Sequence, residues 1–93
     1  MTDVIKRNGQ KEQFKEEKVR MSVEGAVRDA GMDISQKREV IDHAAQDAIQ
    51  MARGMDQVDA KQIRDTVLRD LEQDDQQVAQ AWRNYERTHG MKY

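Results

Sequence analysis

Cysteine and proline are absent from this sequence of 93 residues, and aromatic residues make up only 4% of it. Without cysteine the chain can form neither a disulfide framework nor a thiolate zinc site, and its two histidines cannot complete a tetrahedral metal site without carboxylates. We therefore expect a reducing, cytoplasmic setting and no metal centre. No apolar run approaches the roughly 20 residues of a membrane span, and the polar N-terminus lacks the apolar core of a signal peptide, so no membrane contact is expected.

The chain also has no large excess of positive or negative charge, because it contains 16 basic and 18 acidic side chains and its formal net charge is −2. Such a balance creates no global field that would attract nucleic acid or acidic lipid. Hydrophobic and charged residues each make up 37% of the chain, which is near the lower limit for a chain that must bury a core. The length predicts a single domain over residues 1–93 with marginal stability.

The basic residues are concentrated at the N-terminus. Residues 1–20 hold six basic and four acidic side chains, whereas residues 21–93 hold ten and fourteen. If the N-terminal segment folds back over the following helix, Lys6 or Arg7 could converge with Lys18 on an anionic group such as a phosphate. The alternative is that these cations only protect an exposed strand edge from aggregation.

Turn and periodicity signals predict mainly helix after a short hairpin. Asn8-Gly9 suits a type I′ turn between two short strands. Four helices should follow, with the first over about residues 15–30 and ending at Gly31. We expect the N-terminal caps of the next three helices at Ser35, at Asp59 with Gln62, and at Asp74 with Gln77. A short strand at residues 57–59 and the hairpin should pack over one end of the resulting bundle.

The sequence shows no catalytic constellation. No carboxylate pair stands out in an apolar setting that would separate two pKa values, and His43 and His89 are interpreted as structural residues. The serine and threonine residues lack a nucleophile-elbow context, and the common glycine-rich phosphate loops are missing. We therefore expect a protein that is not an enzyme.

Three blocks of sequence, in order, resemble the ATP-cone family. The first runs from Val4-Ile5-Lys6-Arg7-Asn8-Gly9 through Glu12 and Phe14 to Glu17-Lys18-Val19. The second covers residues 58–68, and the third is Val78-Ala79-Gln80-Ala81-Trp82-Arg83-Asn84-Tyr85. Together the blocks extend over nearly the whole chain, and their order makes the resemblance more specific than any single motif.

The resemblance implies an α+β fold that is mainly α, namely a four-helix bundle capped by a small three-stranded sheet that includes the N-terminal β-hairpin. It also implies an allosteric module that binds ATP or dATP with Mg²⁺ beneath the hairpin. In that case Val4 and Val19 would border the adenine or the sugar, and Glu12 would help to read the adenine edge. Lys6, Arg7 and Lys18 would face the phosphates. The full set of nucleotide-binding candidates is Val4, Lys6, Arg7, Asn8, Glu12, Lys18, Val19 and Arg64.

The sequence departs from the family pattern at several positions. Lys15 stands where members commonly have an aspartate or asparagine that caps the first helix and contacts the sugar. Ala60 and Arg64 stand where some members have a hydroxyl and a histidine near the nucleotide, and Arg64 supplies a cation there. Trp82 replaces a usual tyrosine, and Glu86 replaces an arginine.

These observations leave three functions open. The family implies a regulatory module whose partner is a ribonucleotide reductase subunit or a second copy of the chain, because members normally precede reductase catalytic chains or follow a zinc ribbon in the repressor of reductase genes. The departures from the pattern keep open a helical interaction module that has the cone fold but has lost the nucleotide. The third is DNA binding through residues 1–20, the net-basic segment, although the overall charge makes nucleic acid the weaker expectation.

Overall fold

The computed structural model describes residues 1–91, which form four α-helices and one three-stranded sheet. The predicted fold class, α+β and mainly α, is confirmed. In chain order the elements are β1 (Asp3–Ile5), β2 (Lys11–Gln13), α1 (Glu16–Asp29), a 3₁₀-helix (Ile34–Lys37), α2 (Arg38–Arg53), β3 (Gln57–Asp59), α3 (Ala60–Asp74) and α4 (Gln76–His89). Each helix of the described chain is too short or too polar to span a lipid bilayer.

The sheet has β1 at its centre. Strand β1 pairs with β2 in antiparallel fashion and with β3 in parallel, so the strand order is β2-β1-β3. Val4 and Val58 lie side by side in the parallel register, and each is 1% exposed. Because a two-stranded hairpin alone is unstable in water, burial of these two valines against the helices is what holds the sheet in place.

The hairpin turn differs from the predicted type I′ turn. Lys6 N–H donates to the Gln10 carbonyl at 2.8 Å, and Gly9 N–H donates to the Lys6 carbonyl at 2.9 Å. Of the loop residues Arg7, Asn8 and Gly9, only the glycine has positive φ, at +86°. This is a three-residue loop in which a type I turn is followed by a left-handed glycine, an arrangement that does not require Asn8 to adopt the disfavoured positive φ.

The first helix ends as predicted. Gly31 has a φ of +76°, its N–H donates to the Arg28 carbonyl, and the N–H of Met32 donates to the Val27 carbonyl. This pair of bonds is the Schellman motif, which satisfies carbonyls that the end of the helix leaves without partners.

Two of the three predicted N-terminal caps were wrong, and one is confirmed. The Asp59–Gln62 capping box is present at α3, where the Gln62 side chain accepts from Asp59 N–H at 3.0 Å. The second helical segment begins earlier than predicted, with a 3₁₀ turn whose cap is Asp33 and not Ser35. At α4 the cap is Asp75 and not Asp74, because α3 continues through Asp74 and the next residue is the first with extended backbone.

Helix α2 lies in the core through a stripe of small residues. Its alanines at positions 44, 45, 48 and 52 are completely buried, and they allow close approach of the neighbouring helices. Trp82 of α4 is the largest fully buried side chain, at 1% exposure. Tyr85 is only half-buried, and its ring stacks on His89 with 4.5 Å between ring centroids. The bundle is thus filled mostly by alanine and valine, with a few isoleucines and leucines, around the buried Trp82.

Candidate functional site

The hairpin presents two polar side chains to α1. Asp3 and Ile5 are partly exposed on either side of the buried Val4, which shows which face of β1 lies against the helices. Glu12 is directly opposite Val4 in the antiparallel register, so its side chain starts from the same face. Lys6 follows Val4 by two residues and also starts from that face.

Lys6 and Lys18 converge on the carboxylate of Glu12. The Lys6 Nζ lies 3.0 Å from Oε2, and the Lys18 Nζ, which comes from the first turns of α1, lies 2.9 Å from Oε1. The hydrogen bond from Lys18, followed by that from Lys6, lowers the pKa of Glu12, so this carboxylate is ionised at neutral pH. The three side chains are each between 33% and 42% exposed, which leaves the lysine ammonium groups accessible to a ligand.

A cavity of about 310 Å³ lies between the hairpin turn and the last turn of α4. Arg7 reaches it from the turn, Arg64 from α3, and Gly90 with Met91 from the segment that follows α4. The volume is at the lower end of the range of small-molecule sites. Lys61 and Glu86 complete the lining, and sequence reasoning did not assign either of them to the site.

Arg64 and Glu86 join α3 to α4 within this lining. The Arg64 Nη2 lies 2.6 Å from Oε1 of Glu86, and Nε lies 3.1 Å from Oε2, which makes the pair bidentate. A further bond runs from Nη1 to Asp65 at 2.8 Å. The hydrogen bonds that Arg64 donates to Glu86 raise the pKa of the guanidinium further above its ordinary value. Two positions at which the chain departs from the family pattern are therefore paired with each other.

The remaining predicted site residues, Val4, Val19 and Asn8, belong to the core or to the hairpin turn. Val4 and Val19 are each 1% exposed and belong to the core. The Asn8 side chain accepts from Gln10 N–H at 3.0 Å within the hairpin turn. Lys15 precedes α1 without making a side-chain cap, as its replacement of an acidic or amide residue predicted, and Ala60 is 1% exposed at the start of α3.

A second cavity, of about 430 Å³, has Lys18 in its lining. Lys15, Met21 and Ser22 line it from α1 and the residue that precedes it, and Tyr85 lines it from α4. The half-buried side chain of Tyr85 borders this opening. Lys61, in the first cavity, could have been found by spacing, because it precedes Arg64 by three residues and shares its helical face.

Positive charge exceeds negative charge in the region of the hairpin and the first cavity. Around Glu12 and the first cavity, five cationic side chains stand against three carboxylates, namely Lys6, Arg7, Lys18, Lys61 and Arg64 against Glu12, Asp65 and Glu86. Arg7 makes no ion pair within residues 1–91. An excess of cations contributed by the hairpin, α1 and α3 suits a ligand with several anionic groups.

Comparison with known families gives one match. Residues 2–91 match the family model of the ATP cone domain, which agrees with the resemblance that the three sequence blocks predicted. Comparison with curated proteins and comparison with solved structures each returned no significant match.

Proposed function

Because this chain belongs to the ATP-cone family, a family of nucleotide-binding regulatory domains without catalytic activity, we propose that it binds ATP or dATP beneath the N-terminal hairpin. Binding then changes the affinity of the module for a partner protein or for a second copy of itself. The module carries out no reaction on the nucleotide.

One observation carries this proposal, namely the convergence of Lys6 and Lys18 on Glu12. A nucleotide triphosphate offers several anionic oxygens, and ammonium groups from two elements are suited to hold them. In this assignment Arg7, at the tip of the hairpin, and Arg64, across the first cavity, extend the cationic surface along the phosphate chain. Because Val4 is the one fully buried residue of the two hairpin strands, a ligand held from both sides would help to fix the position of the hairpin.

Glu12 has two roles in the proposed site. Without nucleotide its carboxylate holds Lys6 and Lys18 in place, so the two cations are preorganised. With nucleotide bound, the phosphates take over part of this pairing, and the carboxylate accepts a hydrogen bond from the exocyclic amine of adenine. Mg²⁺ would arrive on the triphosphate, since this ion is usually held by phosphate oxygens and waters with few protein ligands.

The experiment that tests the function is isothermal titration of the 93-residue chain with ATP, dATP, GTP and CTP, each with Mg²⁺. We expect heat from the two adenine nucleotides and weaker or no binding of GTP, because a carboxylate at position 6 of the purine can accept a hydrogen bond from the adenine amine but not from the guanine carbonyl. CTP should also bind more weakly, because its single ring buries less apolar surface than a purine. Absence of heat with both ATP and dATP, at protein concentrations that detect affinities of tens of micromolar, would refute the proposal.

A second candidate is an interaction module that keeps the cone fold without the nucleotide. The Arg64–Glu86 pair favours it, because the glutamate already satisfies the guanidinium that would face the ligand. In this case the partner, such as a ribonucleotide reductase subunit, would co-sediment with the chain equally well with and without ATP. Nucleotide-dependent co-sedimentation or nucleotide-dependent self-association would favour the first candidate.

A further inference from the structure

Four acidic or imidazole side chains meet between α2 and α3, on helix faces that the proposed nucleotide site does not use. His43 and Asp47 are one turn apart on α2, and Asp70 and Asp74 are one turn apart on α3. The His43 Nε2 lies 3.5 Å from Oδ2 of Asp47 and 3.8 Å from Oδ2 of Asp70. Its other ring nitrogen, Nδ1, lies 2.5 Å from Oδ2 of Asp74.

Asp70 has an environment unlike that of the other carboxylates. It is the one charged residue buried in the described chain, at 2% exposure, and its Oδ2 has no hydrogen-bond partner within residues 1–91. A buried carboxylate without a partner is costly, because it has lost its hydration. The unpartnered oxygen is the same atom that faces Nε2 of His43 across 3.8 Å.

The cluster also contains more negatively charged groups than positively charged ones. Three carboxylates surround one imidazole, and the nearest cation from outside is Arg69, whose Nε lies 3.7 Å from Oδ1 of Asp70. Asp47 and the buried Asp70 both face the same imidazole nitrogen, so two carboxylates share one possible counter-charge. A cation placed between the carboxylates would remove this imbalance.

The orientation of His43 is the one found in metal sites. When the neutral ring donates a hydrogen bond from Nδ1–H to the Asp74 carboxylate, its lone pair is on Nε2, the nitrogen that faces Asp47 and Asp70. Histidines that bind metals nearly always donate their other N–H to a carboxylate, a carbonyl or water in this way. The imidazole is 47% exposed, so an ion can reach the site from solvent.

We propose that His43, Asp47 and Asp70 bind one divalent transition-metal ion of the Zn²⁺ class between α2 and α3. With metal–ligand bonds of about 2.0–2.2 Å, tetrahedral geometry places donor atoms about 3.4 Å apart. Two of the three donor separations, 3.5 Å and 3.8 Å, are already close to that value, and all three donor atoms lie within 4.8 Å of one another. One nitrogen and two oxygens suit Zn²⁺ or Co²⁺, and water would occupy the fourth position.

The metal would act as a clamp between two helices at a distance from the nucleotide site. Asp70 lies ten residues after the start of α3 at the sheet, which corresponds to about 15 Å along the helix. The site therefore shares no residue with the hairpin, and its test does not require nucleotide binding. If the metal binds but ATP does not, only the proposed nucleotide function fails.

The test is calorimetric titration of Zn²⁺ into the metal-free, untagged chain in the absence of nucleotide, with Co²⁺ absorption as the report on coordination. The matched variants are Asp70→Asn, which keeps the shape of the buried side chain, His43→Gln, and the control His89→Gln, which removes the other histidine. We expect one Zn²⁺ per chain and the intense visible absorption of tetrahedral Co²⁺. Binding should weaken about 100-fold or more in D70N and H43Q and about 10–100-fold in Asp74→Asn, while H89Q behaves as wild type.

Any one of three results would overturn the proposal. These results are no stoichiometric binding of Zn²⁺ by the wild type, equal binding by wild type and D70N, or loss of binding in H89Q. The unfolding temperatures of the metal-free variants are measured first and show which variants are folded. If D70N does not fold, H43Q tests the proposal in its place, because His43 is exposed and its replacement leaves the core intact. Mg²⁺ serves as a further arm, since its preference for octahedral oxygen ligands predicts no competition with Zn²⁺ at this site.

Discussion

Arg64 of α3 and Glu86 of α4 form a bidentate ion pair, in which the glutamate is 11% exposed and the arginine 28%. Such a pair costs desolvation, but removal of one partner leaves the other charge poorly compensated in a nearly dry position. Because the two residues replace types that are common in the family, the pair provides a test of whether this part of the chain serves stability or ligand binding.

We expect Arg64→Gln and Glu86→Gln each to lower the free energy of unfolding by about 1.5–3 kcal/mol, the usual range for a hydrogen bond to a charged group. The double variant should lose less than the sum of the two, which a double-mutant cycle by urea unfolding would measure. The Arg83–Glu72 ion pair is the matched control, because it also joins α4 to α3 but its side chains are 32% and 44% exposed. Its coupling should not exceed about 0.5 kcal/mol, and equal coupling in both pairs would contradict the role of burial.

The cations beneath the hairpin should act on phosphate. We expect Lys6→Ala, Arg7→Ala and Lys18→Ala each to weaken triphosphate binding by about 1–3 kcal/mol, with adenosine binding almost unchanged. Lys11→Ala is the control, because Lys11 lies on the same hairpin but opposite Ile5, on the face away from the helices. Calorimetric titration with ATP and with adenosine measures both effects. Wild-type affinity in the triple variant of Lys6, Arg7 and Lys18 would show that the phosphates bind elsewhere.

The elements of this fold were predictable because its local signals agree with one another. The glycine at position 31, the Asp59–Gln62 box and the apolar spacing of each helix all act within a few residues of the chain. The errors were also local: two neighbouring aspartates can both cap a helix, and only the backbone decides that Asp75 does so. The Asn8-Gly9 pair likewise permits two turn types that differ in which residue has positive φ.

The contacts between elements were predictable only in part. The convergence of Lys6 with Lys18 follows from the hairpin folding over α1. Their common partner is Glu12, and this contact depends on the register in which β2 pairs with β1. The sequence analysis looked for a carboxylate pair in an apolar setting and so did not single out Asp70, a single buried carboxylate. Its spacing of seven residues from Ile63 places it on the apolar face of α3, a signal that was present in the sequence.

Nucleotide should stabilise the protein measurably. A ligand at a hundred times its dissociation constant adds about 2.7 kcal/mol, and each kcal/mol moves the melting temperature of a domain of this length by about 4–8 °C. We therefore expect saturating ATP with Mg²⁺ to raise the melting temperature by about 10 °C or more. Amide exchange should slow most over residues 3–14, where the strands are short. An unchanged melting curve would contradict binding, and protection confined to α3 and α4 would move the site away from the hairpin.

The Asp75 carboxylate makes stability depend on acid pH. Its Oδ2 lies 2.8 Å from the Lys37 Nζ, and its Oδ1 accepts from the backbone N–H groups of Gln77 and Val78 at 3.1 and 3.3 Å. Lys37 makes the largest contribution to lowering the pKa of Asp75 below its ordinary value of 3.8, and the two N–H groups add to it. The carboxylate thus both caps α4 and ties it to the residue that precedes α2.

A group whose pKa is lower in the folded state stabilises the protein above its unfolded pKa, and that contribution is lost as the pH falls through the folded pKa. We expect the wild type to lose stability between about pH 4 and pH 2 more steeply than Asp75→Asn, which keeps an N-cap acceptor but has no charge to titrate. Asp75→Ala should be about 1 kcal/mol less stable than Asp75→Asn throughout, since it also loses the cap. Lys37→Gln should flatten the acid limb because it removes the largest cause of the pKa shift. Urea unfolding as a function of pH measures all four proteins, and parallel curves for wild type and Asp75→Asn would show that Asp75 does not govern the acid limb.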